Sequence, residues 1–275
     1  MLARICFLSG IMKVLSKNKS NEQSPILGLC LGGGGARGFV QVGALKAFKE
    51  RGIDFDICVG TSVGSIVGAL YSAGITPDEM TEAAEAIEFA DLHGRLLFKP
   101  DDPRKIGNMI YPLVGDAQIE NLHKKYAAVA TDLKTGKQVI LDSGSVLDAV
   151  SASSAYPIVY APLPLNGMNL ADGGLVNNIP AEVCRMLGAD KVVTVDVHAS
   201  RGSGTDGTGV FDVMKAVFSI MSANASVMGL MQSDILIAPD TSKYKSTSKN
   251  GYLDMIELGY NAALEKCDEI ESLIR

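Results

Sequence analysis

Residues Phe55–Gly74 read FDICVGTSVGSIVGALYSAG, and a change of rhythm inside them decides the fold. FDICVG is a short apolar run of the kind that forms a buried strand. SVGSIVGALYSAG carries apolar residues at helical spacing and ends at Gly74. Between the two lies Gly60-Thr61-Ser62-Val63-Gly64, the pattern G-x-S-x-G. Small residues on both sides of Ser62 permit a turn sharp enough to lift its hydroxyl above the sheet. The pentapeptide alone has many false positives; its place between a strand and a helix is what gives it weight.

Upstream, Ile26–Val40 read ILGLCLGGGGARGFV. ILGLCL is a second buried strand, the glycines form a loop, and FVQVGALKAFKERG is a helix with Val42, Leu45 and Phe48 or Lys49 on neighbouring turns and Gly52 as its stop. Gly33–Gly38 fits G-x-G-x-x-G, the dinucleotide pattern, which also expects an acid about 20 residues on, at the end of the second strand. Here Asp54 and Asp56 open FDICVG instead of closing it. A P-loop is excluded, because Arg37-Gly38-Phe39 stands where Gly-Lys-Ser/Thr is required. The remaining reading is chemical. A serine that attacks an ester creates an oxyanion, and side-chain-free backbone can bring N–H groups to it. In a parallel sheet both turns lie at the C-terminal edge of their strands, where such folds bind ligands.

Thr76 caps the next helix, with Pro77 first and Glu79 three residues after the cap. Leu92–Asp116 hold three prolines and mixed charges and read as an irregular connection. AAVATDL and KQVILD are strands joined by KTG, VLDAVSASSAY is a helix ending near Pro157, and LPLNGMNLADGG is a hairpin about Asn166-Gly167. AEVCRMLGA is a helix and KVVTVDV a strand. Strand–helix–strand repetition makes the chain α/β with a mostly parallel sheet. Ser200–Gly209 is a flexible Gly/Ser-rich loop. Val210–Met231 form a helix with Val210, Met214, Val217, Met221, Met228 and Met231 near one face; core filler is the plain reading of that stripe, and a lipid-facing lid the sharper one. The last helix carries Leu253, Ile256, Tyr260, Ala263, Cys267, Ile270 and Ile274 as a packing stripe.

The chain has 275 residues and net charge −6, so no global field draws it to nucleic acid or anionic membrane. Its five cysteines are odd in number and form no C-x-x-C pair, which favours a reducing compartment and a cytoplasmic location over a disulfide framework. The apolar run Ile5–Met12 is too short to span a bilayer and has no good cleavage site after it. Beyond it, no segment reads as a transmembrane helix.

A serine nucleophile needs a base. Of the three histidines, His93 and His123 sit in polar or irregular stretches, while His198 ends a strand and follows Asp172, giving the order Ser62, Asp172, His198 of an α/β-hydrolase triad. Alternatively Asp172, in LADGG, faces Ser62 and acts as base directly, provided burial or a neighbour tunes its carboxylate.

GGGGARG, GTSVG and DGG, with ATDLKTG and SASSAYPIVYAPLPLNG between them, resemble the bacterial branch of the patatin-like phospholipases, over about Ile26–Val197 and loosely through GYLDMIELGYNAAL. The resemblance implies a three-layer α/β sandwich and cofactor-free, metal-free hydrolysis of acyl esters in lipids by a Ser–Asp dyad. It assigns Ser62 as nucleophile, Asp172 as base, Gly33, Gly34 and Gly35 as oxyanion hole, and Gly60 and Gly64 to the elbow. Arg37, with Gly38, supports the glycine loop, unless Arg37 is simply solvated. A lipid or lysolipid substrate and peripheral membrane contact follow from the resemblance; no nucleic-acid partner does. The implied organisation is a leader over residues 1–25, a patatin-like core over 26–200, and a loop with C-terminal helices on the same domain over 201–275. A dinucleotide-dependent oxidoreductase and a catalytically idle lipid-binding protein are the rival classes.

Overall fold

The computed structural model describes residues 24–86, 100–198 and 207–274. The expected leader falls almost wholly outside them, as do Cys6, His93 and most of the Gly/Ser-rich loop. One sheet of eight strands organises the rest. Its order is β5 (Leu163–Leu165), β6 (Met168–Asp172), β3 (Lys125–Asp132), β2 (Ile57–Thr61), β1 (Leu27–Leu31), β7 (Lys191–Val195) and β8 (Ile235–Ile237), with β4 (Lys137–Leu141) also paired to β3. The pairs β1–β2, β1–β7, β2–β3 and β7–β8 are parallel. The antiparallel part is confined to β3–β4, β3–β6 and the β5–β6 hairpin.

Period-two alternation sends side chains to opposite faces of the sheet. Leu29 and Leu31 of β1 and Cys58 of β2 enter the larger core, built against α1 (Phe39–Glu50), α2 (Val63–Ser72), α4 (Arg104–Val114), α5 (Val146–Ser153) and α9 (Tyr252–Leu264). Cys30, Ile57, Val59 and Val129 face the other way, under α6 (Ala181–Met186) and Leu230 of α8 (Val227–Gln232). The result is the expected α/β architecture: helices on both faces of a mostly parallel sheet.

Local sequence explains the joints. Thr76 and Glu79 form a reciprocal cap at the start of α3 (Pro77–Ala86), Glu79 accepting from the Thr76 N–H at 2.8 Å and Thr76 Oγ1 from the Glu79 N–H at 3.3 Å. Asn166 and Gly167 both have positive φ, 48° and 78°, as a two-residue hairpin turn requires. Helices α1 and α9 cross closely because glycine sits on both. A Cβ on Gly43 would lie 1.9 Å from the Ile256 carbonyl oxygen, and one on Gly259 1.9 Å from that of Val40.

Three expectations are corrected. The stretch Leu92–Asp116 is not irregular throughout: Arg104–Val114 form α4, with Ile106 and Ile110 buried. Its prolines bracket the helix, Pro103 just before it and Pro112 in its last turn, where the backbone bond given up is near the frayed end. The Met-rich segment is two helices, α7 (Val210–Ala225) and α8, meeting at Ser226, and its stripe faces outward instead of filling the core. Asp212–Gln232 are also long and apolar enough, by length and composition, to cross a membrane. The C-terminal stripe is likewise divided between α9 and α10 (Cys267–Leu273); Leu253 is 56% exposed, and Met255 and Gly259 are buried in its place.

Gly259→Ala should lower the unfolding free energy by about 1–3 kcal/mol, because the added methyl meets backbone that cannot rotate aside. Urea denaturation reads this directly, and an unchanged midpoint would show that the crossing is looser than described.

Candidate active site

Strand β2 ends at Thr61 and the chain turns at once into α2. Ser62, at the turn, has φ 54° and ψ −125°, a region that non-glycine residues rarely occupy. Conformations of this sort cost about 1–3 kcal/mol and persist only where the surroundings impose them. Here the flanking glycines permit the crowding. A Cβ on Gly60 would lie 2.1 Å from the Gly64 carbonyl oxygen, and one on Gly64 2.1 Å from that of Leu31. The Ser62 N–H donates to Ser153 Oγ at 2.9 Å, and Ser153 donates onward to the Val129 carbonyl at 2.6 Å. Ser153 is fully buried, so one hydroxyl ties the turn to β3 and α5.

Asp172 reaches Ser62 through strand register. Along one edge of β3, β2 pairs as far as Thr61 with Val129, and β6 takes over with Asp172 against Ala130. The opposite edge is held by β4, where Ala130 faces Val139. Asp172 thus fills the next place on the edge that β2 has just left. Its Oδ2 accepts from Ser62 Oγ at 2.7 Å and its Oδ1 from the Gly174 N–H at 2.8 Å. Thr131 Oγ1 donates to its carbonyl at 2.8 Å, and its own N–H donates to the Ala155 carbonyl at 3.0 Å. Asp172 is 1% exposed. Burial raises its pKa from the ordinary 3.8 to about 6, against the opposing pull of the Gly174 N–H and the Ser62 hydroxyl. Tyr156 lies close enough to be raised in turn, to about 12, by burial and then by the Asp172 charge.

The glycine loop passes beside this pair. A Cβ on Gly33 would be 3.3 Å from Ser62 Cβ and 2.5 Å from Asn178 Oδ1. The Gly33 N–H is already engaged, donating to the Asn178 carbonyl at 3.1 Å, and the Ala36 N–H donates to the Ser246 carbonyl at 2.8 Å. Among the described residues no acceptor takes the N–H of Gly34 or Gly35. Gly35 sits at φ 61°, with its Cα against the Ser246 carbonyl, so only glycine suits that place. Arg37 is half-buried. Its Nε donates to the Tyr244 carbonyl at 3.0 Å, which ties the loop to the C-terminal region. Gly38 lets the loop close on Val63, whose Cγ2 would lie 2.2 Å from an added Cβ.

Of the residues singled out in the sequence, Ser62, Asp172, Gly33–Gly35, Arg37, Gly38, Gly60 and Gly64 therefore converge. His198 does not stand between serine and acid: their direct bond leaves no room for an imidazole there. The dinucleotide reading loses its acids too. Asp56 accepts from the Leu27 N–H at the opposite end of the strands, and Asp54 pairs with Lys124. Ser153 and Asn178 are the residues that sequence reasoning passed over, although SASSAYP and the NNIP following DGG both carry them.

With this geometry in view, a family model described as patatin-like phospholipase matches residues 29–185. The chain belongs to the patatin-like phospholipase family. An uncharacterized NTE family protein of Mycobacterium tuberculosis is 36% identical over 189 residues, which cover 65% of this chain and 51% of that protein. The patatin-like phospholipase domain-containing protein 6 of Homo sapiens is 36% identical over 181 residues, 62% of this chain and 13% of that one. The chain thus spans about half the length, or less, of these curated relatives. Among solved structures, VipD from Legionella pneumophila superposes with TM-score 0.62 at 16% identity, over 89% of this chain and 67% of that one. Human GIVD cytosolic phospholipase A2 gives 0.54 at 11% identity, over 100% of this chain and 64% of that one. At such identities these two likenesses speak for the shared patatin-like fold.

The raised acid has a thermodynamic consequence. Its folded pKa lies above its unfolded one, so its contribution to stability is full below the unfolded value and is lost as pH rises through about 6. A rise of that size corresponds to about 3 kcal/mol. Asp172→Asn should therefore raise the unfolding free energy at pH 8 and change it little near pH 4. Urea titrations at the two pH values measure the difference; equal effects would show that the carboxyl is not held above its ordinary range.

Proposed function

We propose that the chain hydrolyses carboxylic esters of lipids through an acyl-enzyme on Ser62, with Asp172 as base. The observation that carries this reading is the 2.7 Å bond from Ser62 Oγ to a buried carboxylate, beside a loop with two backbone N–H groups that no acceptor takes among the described residues. Asp172 Oδ2 accepts the Ser62 proton as Oγ bonds to the ester carbonyl carbon. The N–H groups of Gly34 and Gly35 receive the oxyanion; Gly33 contributes through its lack of a side chain, since its own N–H is engaged. When the tetrahedral intermediate collapses, the C–O bond to the alcohol or lysolipid breaks and Asp172 returns the proton to the departing oxygen. Water then gives its proton to Asp172 and attacks the acyl carbon. The second collapse frees the fatty acid as Ser62 Oγ recovers the proton.

An ordinary aspartate is a poor base near neutrality. Burial that lifts Asp172 to about 6 makes it a stronger one while leaving it mostly ionised at pH 7. Hydrogen bonding to Gly174 holds its other oxygen, so that Oδ2 alone is aimed at the serine. Ser153, on the Ser62 N–H, keeps the strained turn from relaxing.

Ser62→Ala should abolish both ester turnover and labelling by a fluorophosphonate, which reacts readily only with an activated serine. Wild-type protein that is left unlabelled, or a Ser62→Ala variant that still turns over, would refute the acyl-enzyme. For the wild type, kcat/KM should rise with pH on a single limb with an apparent pKa near 6, as Asp172 loses its proton. A profile flat from pH 5 to 8, a range that spans that value, would remove Asp172 as the base.

A further inference from the structure

The outward face of α7 and α8 has no use in the chemistry above. Sixteen large apolar residues are exposed among the described residues, and nine of them fall in Val210–Gln232, so apolar exposure is concentrated on one element. Met214, Val217, Met221, Val227, Met228 and Met231 are among the nine, Met231 at 75% exposure. The inner face is firmly seated. Phe218 packs on Tyr156 with ring centroids 4.3 Å apart, and Ser222 Oγ donates to the Gly174 carbonyl at 2.8 Å. Ser226 is buried, and Gly229 lies against the backbone of Ile179. A monomer gains nothing by displaying such a strip to water, and a contiguous apolar patch of this kind marks an interaction surface.

We propose that this face docks the protein on a neutral, zwitterionic lipid surface and so sets Ser62 and Asp172 beside the bilayer. The inference rests on the lipid-ester reading above and names the surface on which that chemistry is carried out. Three features select lipid as the occupant. Residues 210–232 contain no Trp, Tyr or Arg, the residues that anchor protein interfaces; the large apolar side chains exposed there are Val, Ile and Met. The same helix reaches the site from its other side, through Phe218 on Tyr156 and Ser222 on Gly174, two residues beyond Asp172. Finally, Asp212–Gln232 are apolar enough for a bilayer interior, yet only 17% of that window is buried in the protein. The bond from Ser222 to Gly174 and the seat of Gly229 on the Ile179 backbone fix the segment to the domain on either side of the interruption at Ser226, so that it lies in the interface plane instead of crossing it.

Charge refines the partner. Asp212 and Lys215 are the only charged residues from Val210 to Gln232, and the whole chain carries −6. Attraction to anionic headgroups is thus absent, and docking depends on apolar burial, which salt does not screen.

The test uses full-length protein and phosphatidylcholine vesicles. Ser62→Ala protein keeps the lipid intact, so flotation with these vesicles measures docking independently of hydrolysis. It should float, and added salt should not release it. Met214→Glu with Met221→Glu, in the same background, should lower the bound fraction about tenfold with an unchanged urea midpoint. With Ser62 restored, this double variant should match wild type on a soluble short-chain ester and lose about tenfold on phosphatidylcholine in vesicles. Failure to float, equal binding by the double variant, or binding that needs anionic lipid and is lost in salt would overturn the proposal. So would a dimer in sedimentation velocity that the double variant abolishes, since a second copy would then occupy the face. Docking without any ester hydrolysis would instead sink the function proposed above and leave the surface assignment standing.

Discussion

The hydrogen bond between Ser62 and Asp172 depends on one edge of β3 being shared in succession by two strands. Strand β2 uses that edge through Val129, and the antiparallel β6 uses it from Ala130. Strands β2 and β6 run toward each other and both end at this point, so Ser62 and Asp172 meet where their strands stop. Two residues 110 positions apart are thus brought within 2.7 Å by backbone register, not by the reach of flexible side chains. A parallel strand on the same stretch of β3 would start at the junction and carry its C-terminal end away from Ser62. The β5–β6 hairpin, which looks like a departure from the parallel plan, is what completes the site.

The glycines follow from the same crowding. β1, its loop, the elbow and the Asp172 turn all meet within a few ångströms, and each contact has backbone on at least one side. Gly60 and Gly64 allow α2 to start against β1 and β2. Gly173 lies against the Val129 carbonyl, which is also the acceptor of Ser153. The polar groups forced into this space are satisfied by short internal links: Ser153 at Ser62, Thr131 at Asp172, and Asn178 at Gly33. Such links fix atoms that would otherwise relax.

The strands, the elbow and the glycine loop were legible because their signals are local: apolar runs, glycine at fixed offsets, a G-x-S-x-G between strand and helix. Pairing Ser62 with Asp172 was legible through motif order and resemblance, while the choice between a direct bond and an intervening His198 was not, since it depends on the register of β6. Ser153 and Asn178 escaped notice because a serine in an alanine-rich helix and an asparagine after a turn have no spacing that marks them. Helix α4 is hidden in the sequence because proline ordinarily interrupts a helix, whereas Pro103 and Pro112 stand at its two ends. The Met-rich stripe had the right period, but periodicity does not say whether an apolar face meets protein or something else.

The anchoring of the glycine loop also bears on how this protein can be dissected. Arg37 binds the Tyr244 carbonyl, the Ala36 N–H binds that of Ser246, and Gly43 of α1 and Gly259 of α9 each lie against the backbone of the other helix. Tyr244, Ser246 and α9 all lie beyond residue 185, where the family match stops. A fragment trimmed to that boundary would therefore lack the scaffold on which its glycine-rich loop is moulded, and would bare the side of α1 meant for its missing partner.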